Sequence, residues 1–273
     1  MKYSSRFWLY APLALFLALA AWVMSHWWVL ASDADKKLKA MNGHQAIPGV
    51  TVSWANQTIS GFPFRLDVVF SDFLVRAEAP RGPLIWHTDR LASHALSYGR
   101  AQYIFEAAGP QNLAWTDAEG LRHQLSFLPG SLRASSIADG NGLVRFDLDM
   151  LEAGGKDGDG ASFTAGRTQI HMRRDPKIDA LDLMLSAAEV KAPATPFGDH
   201  IQTLELYSKI TQGSAFGRLL TGRAGWMDAI MAWRHRQGEI VNGPLHIQSS
   251  AVTVDRWNAG LEPRLRALLF PFY

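Results

Sequence analysis

Two periodicities divide this sequence. Residues 7–31 (FWLYAPLALFLALAAWVMSHWWVLA) carry no Asp, Glu, Lys or Arg. An apolar run of that length predicts a helix able to cross about 30 Å of hydrocarbon. Phe7, Trp8 and Tyr10 at one end and Trp22, Trp27 and Trp28 at the other suit the headgroup layers, where amphipathic rings are favoured. Pro12 falls in the first turns, where a helix tolerates it best. A cleaved signal peptide with Ala18-Leu19-Ala20 as its cleavage site competes with this reading. Against it, the apolar run continues to Leu30, and cleavage would leave a new terminus opening Ala-Trp-Val-Met. An uncleaved signal anchor is expected, with residues 1–31 as n-region and transmembrane segment, 32–48 as a stalk or linker, and 49–273 as the folded domain. Lys2 and Arg6 before the span nearly balance Lys36, Lys37 and Lys39 after it. The short basic n-region decides the orientation: it stays in the cytoplasm while the long domain is translocated, a single-pass inner-membrane protein with a periplasmic domain.

Beyond the span, residues 33–41 (DADKKLKAM) keep a polar helical character, and Asn42-Gly43 is a stop signal. From there apolar residues recur at every second position, the period of a strand with one buried face. Val50, Val52 and Trp54 share a face. In GFPFRLDVVF, Phe62, Phe64, Leu66, Val68 and Phe70 share a face opposite Arg65 and Asp67. The pattern returns at Tyr103 and Phe105, at Leu121, His123, Leu125 and Phe127, at Phe146, Leu148 and Met150, at Thr168, Ile170 and Met172, and at Leu181, Leu183, Leu185 and Ala187. Turn signals at 117–120, 139–142 and 154–160 separate these runs without intervening helices, so antiparallel pairing is predicted rather than crossover units.

One segment departs from the strand period. Trp226, Ile230 and Trp233 stand at i, i+4 and i+7 in GWMDAIMAWRHRQG, with Arg234, His235 and Arg236 at the end the helix dipole favours and Gly238 as a C-cap. An amphipathic helix is predicted there, packed on the sheet, with 239–241 and 245–247 forming a hairpin through Asn242-Gly243 after it. The closing PRLRALLFPFY reads as a plug for the open end of the sheet, with an interfacial segment as the alternative.

Composition narrows the function classes. Hydrophobic residues at 48% and charged residues at 19% exclude disorder, and a formal charge of +2 gives no electrostatic case for nucleic acid. Cysteine is absent, which removes disulfides, thiolate metal sites and cysteine nucleophiles. The nine histidines form no HExxH, HxH or i, i+4 pair. No GxSxG elbow, phosphate loop or dinucleotide fingerprint occurs. Asp157-Gly158-Asp159-Gly160 fails the calcium-loop pattern at Ala161, Ser162 and Thr168. Asp147 and Asp149 share a polar strand face with Arg145, which makes them a solvated surface rather than a catalytic carboxylate pair. No cofactor or metal is expected.

SGFPFRLDVVF, close after a single span and stalk, resembles the alphaproteobacterial family of domain of unknown function 2125. AWRHRQGEIVNGPLHIQSS, residues 232–250, is a weaker echo of a later segment of the same family. The resemblance covers those two stretches and the overall layout. It implies a membrane-anchored envelope protein with no assigned activity, so no catalytic residues are carried over. The family looks distantly similar to AsmA-like envelope proteins, and that fold-level analogy implies a curved sheet that holds lipid chains.

The expected fold is therefore mainly β with a few helices: an N-terminal transmembrane helix, then a curved, largely antiparallel sheet, a half-barrel or trough, with one amphipathic helix. One-sided apolar strands and 14 Phe with 10 Trp favour a non-catalytic envelope protein binding lipid or another hydrophobic ligand in a sheet groove. The groove candidates are Phe62, Phe64, Leu66, Val68, Phe70, Leu125, Phe127, Phe146, Leu148, Leu183, Leu185, Trp226 and Trp233. The alternative is a scaffold or assembly factor pairing with an envelope protein at a sheet edge near Pro63. A hydrolase would need a pocket that gathers His87, His123 or His171 with a carboxylate and a nucleophile. The topology is tested by a reporter active only in the cytoplasm, fused after Tyr273: it is expected to stay silent, and activity there reverses the orientation.

Overall fold

The computed structural model describes residues 5–98, 102–117, 119–139, 142–195, 197–220, 225–251 and 253–254. The C-terminal PRLRALLFPFY and the middle of the Asp139–Gly142 turn lie outside the described residues. Helix α1 (Ser5–Met41) joins the apolar run and the polar stalk without a break. Its Tyr10–Met41 portion is long and apolar enough to cross a membrane. Asn42 ends it, its side-chain amide donating to the Trp54 carbonyl and accepting from the Trp54 amide, each at 3.0 Å. That pair turns the chain straight into β1 (His44–Ile47), so the sheet begins inside the segment expected to be linker.

The remaining strands are β2 (Val50–Ser53), β3 (Asn56–Ser60), β4 (Arg65–Ala77), β5 (Leu84–Leu96), β6 (Gln102–Thr116), β7 (Arg122–Leu128), β8 (Ser131–Asp139), β9 (Gly142–Asp157), β10 (Ser162–Arg174), β11 (Ala180–Thr195), β12 (Gly198–Thr211), β13 (Ile240–Ser249) and β14 (Thr253–Val254). Together they form one 14-stranded sheet, and every described pairing is antiparallel. β2 and β3 lie end to end along β4. β7 and β8 do the same between β6 and β9, interrupted at Pro129-Gly130. Counted this way the sheet is a plain meander in which each strand pairs with the next along the chain.

The meander is curved, and a line of irregularities crosses it. Asp72 and Asp89 face each other unpaired in the β4–β5 ladder. The register slips by one residue between β5 and β6 beside Gly109. The line continues through Gly130, through Glu152 opposite Gly166, and through Glu189. Asp72, Gly109, Glu152 and Glu189 take positive φ of 55°, 87°, 49° and 51°. Bulges bend and twist a strand, and here successive strands bend at one level. Buried side chains satisfy the backbone at the slip. Trp86 Nε1 donates to Gln111 Oε1 (3.1 Å), and the Gln111 amide donates to Thr88 Oγ1 (2.8 Å) and the Gly109 carbonyl (2.9 Å). Thr88 and Gln111 are fully buried, where an unpaired amide would cost about 1–3 kcal/mol.

Between β12 and β13 the chain leaves the sheet through a short 3-10 turn (Gly213–Phe216), α2 (Gly217–Leu220) and α3 (Trp226–His235). α3 buries Ala229 and Trp233. It ends in a Schellman arrangement, Gly238 N–H donating to the Trp233 carbonyl and Gln237 N–H to the Arg234 carbonyl, both at 2.9 Å. The left-handed residue is Gln237 (φ 56°) and not the expected Gly238. Gly238 is needed for another reason: the Trp233 indole occupies the space of a Cβ there.

Three further differences follow from tertiary pairing. Phe62 and Phe64 do not join the strand they precede, because β4 starts at Arg65 and both rings stay exposed in the turn before it. Asn242-Gly243 makes no hairpin but a bulge within β13, where the register against β12 shifts. Gly154 and Gly155, expected in a turn, are strand residues of β9. At Gly155 a side chain would overlap the Ser126 carbonyl and the Phe127 backbone, whereas Gly154 has only the Thr164 methyl at 4.0 Å. Gly155→Ala is expected to cost about 1–3 kcal/mol or more through overpacking, with Gly154→Ala within about 0.5 kcal/mol, read from paired denaturation curves. Equal effects would mean that β7 and β9 do not approach as described.

Candidate functional site

Directly opposed residues of an antiparallel ladder share a face, so the register identifies the two surfaces of the sheet. One row runs Ile59, Val68, Ser93, Phe105, Ala134, Leu148, Ile170, Leu185, Leu206 and Leu245, from β3 to β13. Ser93 is its one polar member. Phe146, Met172 and Leu183 form part of the neighbouring row on the same face. Across the line of bulges that face continues through Phe73, Thr88, Gln111 and Phe127, because each bulge restores the alternation after displacing one residue.

The apolar face is covered at its two ends and open between them. At one end Val52, Trp54, Val68, Phe70, Phe73 and Leu91 form a buried cluster reached by Leu38 and Met41 of α1. At the other, Phe197, Ile201, Leu204, Leu206, Leu245 and Ile247 form a second. Phe105, Ala134, Leu148, Ile170 and Leu185 in the middle are only half-buried. Of the residues expected to line a groove, Leu66, Val68, Phe70, Leu125, Phe127, Phe146, Leu148, Leu183 and Leu185 all lie on this face. Trp226 and Trp233 lie on α3 and act as ties. Trp226 Nε1 donates to the Glu78 carbonyl after β4, and Trp233 Nε1 to the Thr211 carbonyl that ends β12, each at 2.7 Å. α3 thereby links strands from opposite ends of the meander.

The other face is a lattice of cross-strand polar pairs. One row holds Arg133, Asp149, Gln169, Ser186, Glu205 and His246. His94 and His171 bond Asp67 and Asp147 at 2.7 and 2.8 Å. Burial opposes ionisation of both carboxyls, yet hydrogen bonds from these histidines, from Arg65 and from Arg145 hold them below the ordinary carboxylate value. Asp175 is held at about 2 by Lys209, with help from the Lys177 and Ile178 amides. His87 likewise meets Asp72 at 2.6 Å, while His123, on the side of β7 that carries Leu125 and Phe127, meets Asp117 of the preceding turn, also at 2.6 Å. A shallow cavity of about 620 Å³ lies beside His171, Asp182, Tyr207 and Lys209. Ser135 Oγ, however, donates to Asp147 and not to His171, so the order serine–histidine–carboxylate of a nucleophilic triad is not assembled there. The edge expected to dock a partner near Pro63 is a turn, and the free side of β3 is covered by α1, where the Gln57 amide donates to Asp35 Oδ1 at 2.8 Å.

A family model described as "Uncharacterized protein conserved in bacteria (DUF2125)" matches residues 27–259. The chain belongs to this family. No curated protein and no solved structure matches it. In this member of the DUF2125 family, the matched segment opens at Trp27, the residue through which α1 meets the turn before β4: Trp27 Nε1 donates to the Arg65 carbonyl at 2.8 Å.

Alternation alone signals the apolar face. The bulge line has no periodic signal, since its glycines and acidic residues are also ordinary turn residues. Phe70 is 6% exposed and packs on Trp54 and Phe73 at centroid distances of 4.8 and 5.3 Å. Phe70→Ala is expected to cost about 3–5 kcal/mol. Phe64→Ala, for which alternation alone implies the same cost, should change stability by less than about 0.5 kcal/mol. Equal losses in chemical denaturation would place Phe64 in the core.

Proposed function

We propose that this protein is a non-catalytic, inner-membrane-anchored envelope protein whose sheet stands on the periplasmic side and takes a lipid chain or similar hydrophobic ligand along its apolar face. The observation that carries this is the row across the sheet, apolar at every position but Ser93 and half-exposed in the middle, where a surface this size is ordinarily covered. An acyl chain matches it: flexible, unbranched and needing no polar partner along its length. The direction of the trough supports the same reading. Leu66 and Tyr103 bring the apolar face to the end where α1 leaves for the membrane, and Tyr103 stacks on Phe105 at 6.3 Å. The cross-strand pairs of the opposite face support a non-catalytic role, since His94 and His171 are engaged there by Asp67 and Asp147.

The test is photocrosslinking of the full-length protein in vesicles that contain a phospholipid with a diazirine on its acyl chain. Adducts are expected at Phe146, Leu148, Ile170 and Leu183, and Ile170→Glu should abolish them. Adducts confined to α1 would refute lipid binding by the sheet.

A further inference from the structure

The end of the apolar helix and one tip of the sheet meet at Trp27. Besides its hydrogen bond to the Arg65 carbonyl, the Trp27 ring stands edge-on to Phe62 at 5.5 Å. Further along α1, Asp35 receives the Gln57 amide, and Leu38 and Met41 join the cluster around Trp54. Ties at three successive levels fix α1 alongside β3. The apolar residues before Trp27 therefore continue past the turn between β3 and β4, and that tip faces whatever the helix enters.

The tip is the wrong composition for water. Phe62, Phe64, Leu96 and Tyr98 are 52%, 58%, 49% and 62% exposed. They come from two adjacent places, the turn before β4 and the end of β5 with the segment that follows it. The two are joined by the Ser97 N–H donating to the Phe64 carbonyl at 3.0 Å and by the edge-on contact of Phe64 with Tyr98 at 6.3 Å. Immediately behind stands a polar collar, with Arg65 and His94 on Asp67. An aromatic tip with charge one step behind is the arrangement that suits a headgroup layer.

We propose that this tip seats in the interface of the same bilayer that α1 crosses, so that the protein holds the membrane at a span and at an aromatic foot. The height argues for lipid over a protein partner. About 20 residues span the hydrocarbon, which brings the helix back to the surface near Trp27, beside Phe62. The foot limits how far the domain tilts on its helix. It stands independently of ligand binding by the trough.

The chain contains no cysteine, so single nitroxide labels are introduced directly into the full-length protein. Phe64→Cys and Tyr98→Cys report the tip. Leu121→Cys is the control, 62% exposed in the turn after β6, roughly 50 Å away along that 15-residue strand. In phospholipid vesicles, both tip labels are expected to lose collisions with a water-soluble nickel complex and gain collisions with dissolved oxygen, while the control remains open to nickel. Circular dichroism verifies that each labelled protein is folded. Tip labels as open to nickel as the control overturn the proposal. Shielding from both reagents overturns it too, because the tip is then packed on protein. Loss of acyl-chain crosslinking to the sheet with the tip shielded from nickel alone would refute the ligand and leave the foot intact.

Discussion

A single-layer sheet with one apolar face and one charged face has no second layer behind which to hide the first. Everything else in this structure answers that constraint. The alternation is carried from β3 to β13 by a register that never exchanges the two faces, because each irregularity displaces one residue and then restores the pattern. A slip of one residue without such compensation would deliver Leu148 and Ile170 to the charged side and Asp147 and His171 to the apolar one.

Successive strands bend at one level, and the bend is built from acidic residues and glycines facing one another across neighbouring strands. Gly109 shows why glycine stands there: at φ 87°, and with a Cβ there coming within 3.0 Å of the Asp89 side chain, any side chain would be strained twice over. Helices supply cover. α1 lies against the exposed side of β3, and α3, pinned by two tryptophan indoles to carbonyls near opposite ends of the meander, holds the curve. Among the described residues the outermost strands, β1 and β14, are short.

The middle of the apolar face is left half-exposed, and it is the surface on which the proposed hydrophobic ligand would lie. The long apolar helix is tied to the sheet at Trp27, at Asp35 and at Leu38 and Met41, so the direction in which it leaves the sheet is set by contacts at three levels. The charged face contributes solubility and register. His94–Asp67 and His171–Asp147 are directly opposed strand neighbours, which is the position cross-strand pairing assigns them.

By itself the sequence determined the long apolar helix, the strand period and the faces, because hydrophobic alternation is a local property fixed by the pleat. It also located α3, whose period differs, and through SGFPFRLDVVF the family. It did not determine where β4 begins: Phe62 and Phe64 keep the alternation of the strand after them, yet the pairing partner ends at Ser60 and the turn claims both rings. Nor did it separate Asn242-Gly243 as a bulge from the same dipeptide as a hairpin, since both use the same backbone freedom and only the presence of β12 alongside decides. The line of bulges, the bond between Trp27 and Arg65, and the reach of Trp226 to Glu78 join residues far apart in the chain. Tertiary structure alone decided these, because they depend on which strands lie side by side.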